Sequence, residues 1–180
     1  MPEKTPVPAN TVSATPVISE AAAPTAGTKR ILYLFAGEAR KSSVTSFLRD
    51  ELEALGFAVT CDEIDLLRDP SHNLDRSPLR SKLLDYAQEG VYDIIIATPP
   101  CSTYSRVVWA NALGPRPLRS AAHPAGFPWL RGERKDKVEL GNRLAELGLD
   151  ALIAADKCGA KTVTGLLEHP EDLGATTEWP

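Results

Sequence analysis

Cysteine is scarce in this chain. Its three residues, Cys61, Cys101 and Cys158, lie far apart, and no C-x-x-C pair exists. That excludes a disulfide framework or a paired-cysteine zinc site, and it fits a reducing, intracellular setting. Long apolar runs are also missing, so no segment is expected to span a bilayer. The amino terminus carries prolines and acids where a secretory signal needs a basic and then an apolar stretch. Histidine numbers three, His72, His123 and His169, without the spacing of a metal site. An overall excess of positive charge is absent too: the net charge is −4 at pH 7.

The local charge is different. Between Ser102 and Lys137 stand seven bases (Arg106, Arg116, Arg119, Arg131, Arg134, Lys135, Lys137) against two acids, Glu133 and Asp136. A basic segment of this kind is the electrostatic footprint that phosphates seek, although a solvated loop carries such charges as well. With 180 residues, 43% hydrophobic and 24% charged, the chain is long enough for one domain with a real core. Residues 1–28, rich in Pro, Ala, Thr and Ser, read as a disordered leader. The folded unit is expected over 29–174, with 175–180 as a tail.

From Arg30 the pattern alternates strand and helix. Ile31 to Phe35 is a short apolar strand ending at Ala36-Gly37. Ser42 or Ser43 caps a helix to Leu55, with Val44, Phe47, Leu48, Leu52 and Leu55 at helical spacing and Gly56 as its stop. Phe57 to Cys61 is the second strand, closing on Asp62-Glu63-Ile64-Asp65. Ser77 caps a second helix, Pro78 occupies its first turn, and Gly90 ends it. Val91 to Ala97 is the most apolar strand, as suits the middle of a sheet. A long Pro- and Gly-containing loop, Arg106 to Gly132, holds Trp109, Phe127 and Trp129, and a loop of that length is usually functional or disordered. A helix from Glu133 to Lys157 follows, with Leu140, Leu144, Leu147, Leu152 and Ile153 toward the core. Thr162 to Leu167 is the last strand. This order predicts a doubly wound, Rossmann-like three-layer α/β sandwich with a mostly parallel sheet.

In such sheets ligands sit beyond the carboxyl ends of the strands. Gly37, Glu63, Cys101 and Glu168 fall at those ends and are expected to face one crevice. A glycine after the first strand lets backbone approach a ligand, or simply closes a tight turn. An acid after the second strand can accept from both ribose hydroxyls of a nucleoside cofactor, and Asp62, Glu63 and Asp65 all compete for that role. Cys101, directly after Pro99-Pro100, stands where a nucleophile is useful, although a lone cysteine is often just a small buried hydrophobe. Glu168 has the chemistry to hydrogen-bond ring and exocyclic nitrogens of a base.

Taken in order, Leu34-Phe35-Ala36-Gly37, then Glu63, then Pro99-Pro100-Cys101-Ser102-Thr103-Tyr104-Ser105, then Glu168-His169-Pro170, resemble the cytosine-C5 methyltransferase family over about Ile31 to Gly174. The resemblance implies a class I methyltransferase fold that binds S-adenosylmethionine against Phe35, Ala36, Gly37 and Pro99, with Glu63 on the ribose. It implies a flipped cytosine attacked at C6 by Cys101 and held by Glu168, with Ser105, Arg106, Arg116 and Arg119 toward the nucleic acid. DNA is the expected partner in preference to RNA. The chain departs from the family at Gly37-Glu38-Ala39-Arg40, where a glycine-rich turn is usual, and at His169. The family's later motifs have no counterpart after Glu168, so the domain is expected to be incomplete: a second chain completes it, or the chain is equally a fragment or a degenerate remnant. Two other classes fit the same residues: a different cysteine-dependent hydrolase or transferase with a histidine base, and a catalytically silent nucleic-acid-binding module.

Overall fold

The computed structural model describes residues 27–75, 78–105 and 114–170. Most of the expected leader, the proposed cap Ser77, Arg106, and both the end of the folded unit and the tail lie outside these residues. The apolar runs form four strands: β1 (Thr28–Leu34), β2 (Ala58–Ile64), β3 (Ile94–Ala97) and β4 (Thr164–Leu167). They pair in the order β2-β1-β3-β4, every neighbour parallel. The helices are α1 (Val44–Ala54), α2 (Pro78–Gln88) and α3 (Glu133–Asp156). The predicted three-layer α/β architecture is therefore present. Among the described residues no helix is long and apolar enough to cross a membrane.

The two faces of the sheet bury different amounts. Leu32, Leu34, Ile64, Ile95 and Ala97 pack against Leu79 and Leu83 of α2 and Leu147, Ala151 and Ala155 of α3. The opposite face buries only Ile31, Tyr33 and Ile96, with Leu48 and Leu52 of α1 laid across them. Ser43, rather than Ser42, caps α1: its hydroxyl accepts from the Ser46 N–H, and the Ser46 hydroxyl accepts from the Ser43 N–H.

Strand boundaries and buried helix faces differ from the sequence reading, β1 running Thr28–Leu34 and β4 only Thr164–Leu167. β2 continues to Ile64 because β1 offers seven partners, from Thr28 opposite Ala58 to Leu34 opposite Ile64. Asp62 and Glu63 are thus inside the strand, and Asp65 is the first residue beyond it. β3 begins only at Ile94, since Val91 is still tied to α2 by its N–H to the Tyr86 carbonyl. α3 buries a stripe of small residues, Gly141, Gly148, Ala151 and Ala155 with Val138 and Leu147, whereas Leu140 and Ile153 are exposed. On α1, Val44, Phe47 and Leu55 are likewise exposed, and Thr45 is the buried residue. The expected inward face is thus kept by Leu144, Leu147 and Leu152 of α3 and by Leu48 and Leu52 of α1, which pack on the sheet, and not by the other large side chains.

Candidate active site

The strand register brings the candidate residues together. Leu34 pairs with both Ile64 and Ala97, and Ala97 pairs with Leu167. The next residue of each strand therefore stands in one row across the sheet edge: Asp65, Phe35, Thr98 and Glu168. Backbone bonds extend the pairing into that row, from Phe35 N–H to the Ile64 carbonyl at 2.8 Å and from Glu168 N–H to the Ala97 carbonyl at 2.9 Å. Connections leave β1 and β3 toward opposite edges, so the crevice between their ends is the switch point where α/β sheets bind ligands.

On the β1 side the backbone is bent sharply. Phe35 has a φ of 63°, a region that costs a non-glycine residue energy and is seen where a site demands it. Two hydrogen bonds hold it there, the one to Ile64 and a 2.9 Å bond from the Thr98 hydroxyl to the Phe35 carbonyl. The Asp65 carboxylate closes the following turn, accepting from Gly37 N–H at 2.9 Å and Leu67 N–H at 2.8 Å. Phe35, Asp65, Leu66, His72, Pro100 and Leu144 help to line a cavity of about 400 Å³, within the size range of small-molecule sites. Ala36 and Gly37 lie at its edge in sequence; Pro99 is buried beside Pro100.

The competition among the three acids has a geometric answer. Asp62 is taken by the Arg30 guanidinium at 2.8 Å and the Tyr92 hydroxyl at 3.1 Å. Glu63 faces α1, where it accepts from the Thr45 hydroxyl and from Arg68 at 2.6 and 3.3 Å. Arg68 also donates to the Gly37 carbonyl at 2.7 Å. Only Asp65 faces the cavity, so the expected placing of Glu63 against a ligand requires Arg68 to give way.

Cys101 is exposed and heads a tight turn, its carbonyl accepting from Tyr104 N–H at 2.8 Å and Ser105 N–H at 2.9 Å. Glu168 is also exposed, one strand away, and no hydrogen bond joins the two side chains. Against α3 lies a second cavity of about 410 Å³, lined by Pro99, Tyr104, Asn142, Glu146, Leu167 and His169 but not by Glu168. Neither cavity counts Cys101 among its lining residues. Among the described residues, no cluster of His, Cys, Asp or Glu suits a metal ion.

Arg119 corrects an expectation. It was expected to reach phosphate, but it is 1% exposed and fully engaged with the protein. Its guanidinium donates to the Thr103 hydroxyl at 3.0 Å and to the carbonyls of Pro124 (2.7 Å) and Val138 (3.0 Å). It also reaches the Asn142 side chain at 2.6 Å and lies over the Tyr104 ring. Burial lowers its pKa from the ordinary arginine value, and the oxygens around it compensate the charge. Arg119 thus bolts the Cys101 turn to α3 and to its own loop. Ser105 is half-buried beside that turn, and Arg116 is exposed. The sequence reading missed Arg68, Thr45 and Asn142; a polar residue inside an otherwise buried helix face was the one available signal, at Asn142.

The chain matches no family model, no curated protein and no solved structure.

Proposed function

We propose that the chain is an S-adenosylmethionine-dependent methyltransferase domain acting on C5 of cytosine in DNA through a covalent bond to Cys101. The observation that carries this reading is the exposed Cys101 thiol beside the switch point of a parallel sheet, with Glu168 at the next strand end. Sulfur forms a bond to C6 of a flipped cytosine, and the C5–C6 π pair shifts to leave C5 nucleophilic. A proton shared with Glu168 neutralises N3. S-adenosylmethionine supplies an electrophilic methyl group. C5 accepts the methyl, loses its own proton to a base, and the C6–S bond breaks to restore the thiolate while N3 returns its proton.

The cavity against Phe35 and Pro100, apolar with the Asp65 carboxylate at its wall, fits the nucleoside part of such a cofactor. Phe35 would hold it, with Ala36 and Gly37 in the adjoining turn, and Glu63 would take the ribose once Arg68 moves aside; Pro99, expected beside them, lines the second cavity instead. A second chain completing the site would meet β4, the sheet edge that leads into Glu168 and whose Thr164, Gly165 and Leu166 are exposed.

The test begins with calorimetric titration of S-adenosylmethionine into wild type, Glu63→Ala and Asp65→Ala. Saturable binding weakened by either variant supports the cofactor site. DNA carrying 5-fluorocytosine should then form a covalent adduct with wild type and none with Cys101→Ser. One observation favours a second reading, a catalytically silent nucleic-acid-binding module: the Arg68–Glu63 pair occupies the acid a cofactor would need. Nucleic-acid binding that survives modification of Cys101, in folded protein that neither binds the cofactor nor traps, would favour that reading; loss of all three would point to a half-site awaiting a partner or a remnant.

A further inference from the structure

We propose that the loop preceding α3 carries a nucleic-acid site of its own: a cleft that takes one unpaired nucleotide of a single strand, its base on Trp129 and its phosphate among arginines. The cleft measures about 850 Å³, roughly twice either of the two cavities described above. Trp129 is stacked on Phe127, with ring centroids 4.7 Å apart and planes 11° from parallel. His123 meets both rings edge-on, at 5.7 Å from Phe127 and 5.5 Å from Trp129. These contacts fix the indole from one side and leave it 62% exposed. A flat, braced, exposed aromatic platform is the surface on which unpaired bases stack.

The charges around it are of one sign. Arg116, Arg131 and Arg134 line the same cleft. Among the described residues none of the three has a carboxylate within ion-pair distance. Arg131 donates to two neutral carbonyls, Pro128 at 3.1 Å and Leu130 at 2.8 Å, which steady its head and leave its charge unbalanced. The acids of the first turn of α3, Glu133 and Asp136, do not line the cleft.

An independent observation points to a ligand. Ser120 lines this cleft and is 2% exposed, and its buried hydroxyl has no hydrogen-bond partner among the described residues. A buried hydroxyl left without a partner is unfavourable, and a hydrogen bond from a ligand oxygen or nitrogen would relieve it. Stacking platform, guanidinium charge and a spare hydroxyl together describe a base with its phosphodiester. A paired duplex presents no base face to Trp129. Ser120 follows Arg119, so the cleft is held in fixed relation to the Cys101 turn. The inference rests on the nucleic-acid reading of Cys101 only in preferring a polymer to a free nucleotide.

The experiment is fluorescence anisotropy of the full chain with a short labelled single strand, the matching duplex, and unlabelled cytidine monophosphate or a tyrosine-phosphorylated peptide as competitors, across a salt series. The single strand should bind tightest. Trp129→Ala should weaken it roughly tenfold or more with the salt slope unchanged. Arg134→Ala should reduce the slope of log K against log salt by about 0.7. Equal binding by Trp129→Ala of unchanged circular dichroism, or a preference for duplex, overturns the proposal. Competition by the monophosphate at the strand's own affinity overturns the polymer, and by the phosphopeptide overturns nucleic acid altogether. Cys101→Ser run in parallel separates the two ideas: lost trapping of fluorocytosine DNA with strand binding intact bears on methyl transfer alone.

Discussion

The guanidinium of Arg119 lies over the ring of Tyr104, 3.7 Å from its centroid, three residues past Cys101. Its hydrogen bonds run to Thr103, Pro124, Val138 and Asn142, so one buried side chain joins the Cys101 turn, the following loop and α3. A lysine ammonium offers three donors from a point and cannot span acceptors set around a planar fork. Arg119→Lys should therefore cost about 2–4 kcal/mol in urea denaturation, at an unchanged m value. A loss under about 0.5 kcal/mol, the range of ordinary surface changes, would show that the network is dispensable.

Gly126 sets a second constraint on the same loop. Its φ is 110°, and a Cβ there would come within 2.4 Å of a Val138 methyl. Gly126→Val should destabilise by more than about 2 kcal/mol, lowering Tm by several degrees. Gly159→Ala is the control, because a Cβ at Gly159 meets open space. Equal melting of both variants would contradict the packing described.

Thiol reactivity should rank by position. Cys101 is exposed, whereas Cys61 is part-buried on β2 and burial raises its pKa, with Arg49 opposing the shift. The thiolate is the reacting species, so Cys61 should lag. Iodoacetamide at pH 8 followed by peptide mass mapping should label Cys101 first. Earlier labelling of Cys61 would reverse the assignment of the accessible thiol.

Asp93 provides a pH signature. Burial works to raise its pKa, but the Arg30 N–H at 2.8 Å and the ammonium groups of Lys161 and Lys29 outweigh it. The net result lies below the ordinary carboxylate value. A group lowered on folding contributes stability that is complete above the unfolded pKa, about 3.9, and is lost as pH falls through the folded one. Asp93→Asn should be less stable than wild type at pH 7, and the gap should close below about pH 4. A gap constant through the acid limb would assign the effect to hydrogen bonding rather than charge.

How far these features could be read beforehand depended on their range. β1, α1 and α2 follow from local periodicity and caps, and Ser43, Gly56 and Gly90 sit where those signals place them. Cys101 and Glu168 are legible as strand-end residues because parallel pairing needs no knowledge of side chains. What stayed hidden depends on partners distant in sequence. The extension of β2 follows from the length of β1, and the capture of Glu63 by Arg68 and Thr45 joins three elements. Arg119 looked like one more loop cation until Asn142, 23 residues later, was seen to accept from it.

The glycines of α3 stand one heptad apart, with Gly141 turned to Thr103 and Arg119 and Gly148 turned to Ala97 and Leu167. At Gly148 an added Cβ would lie 3.2 Å from that of Ala97, so the helix rests on the sheet almost backbone to backbone. Contact of that kind has no rotamers through which to adjust. Substitutions on the outer side of α3 are thus free to drift, while the spacing between α3 and β3 is held by the main chain and the Cβ of Ala97.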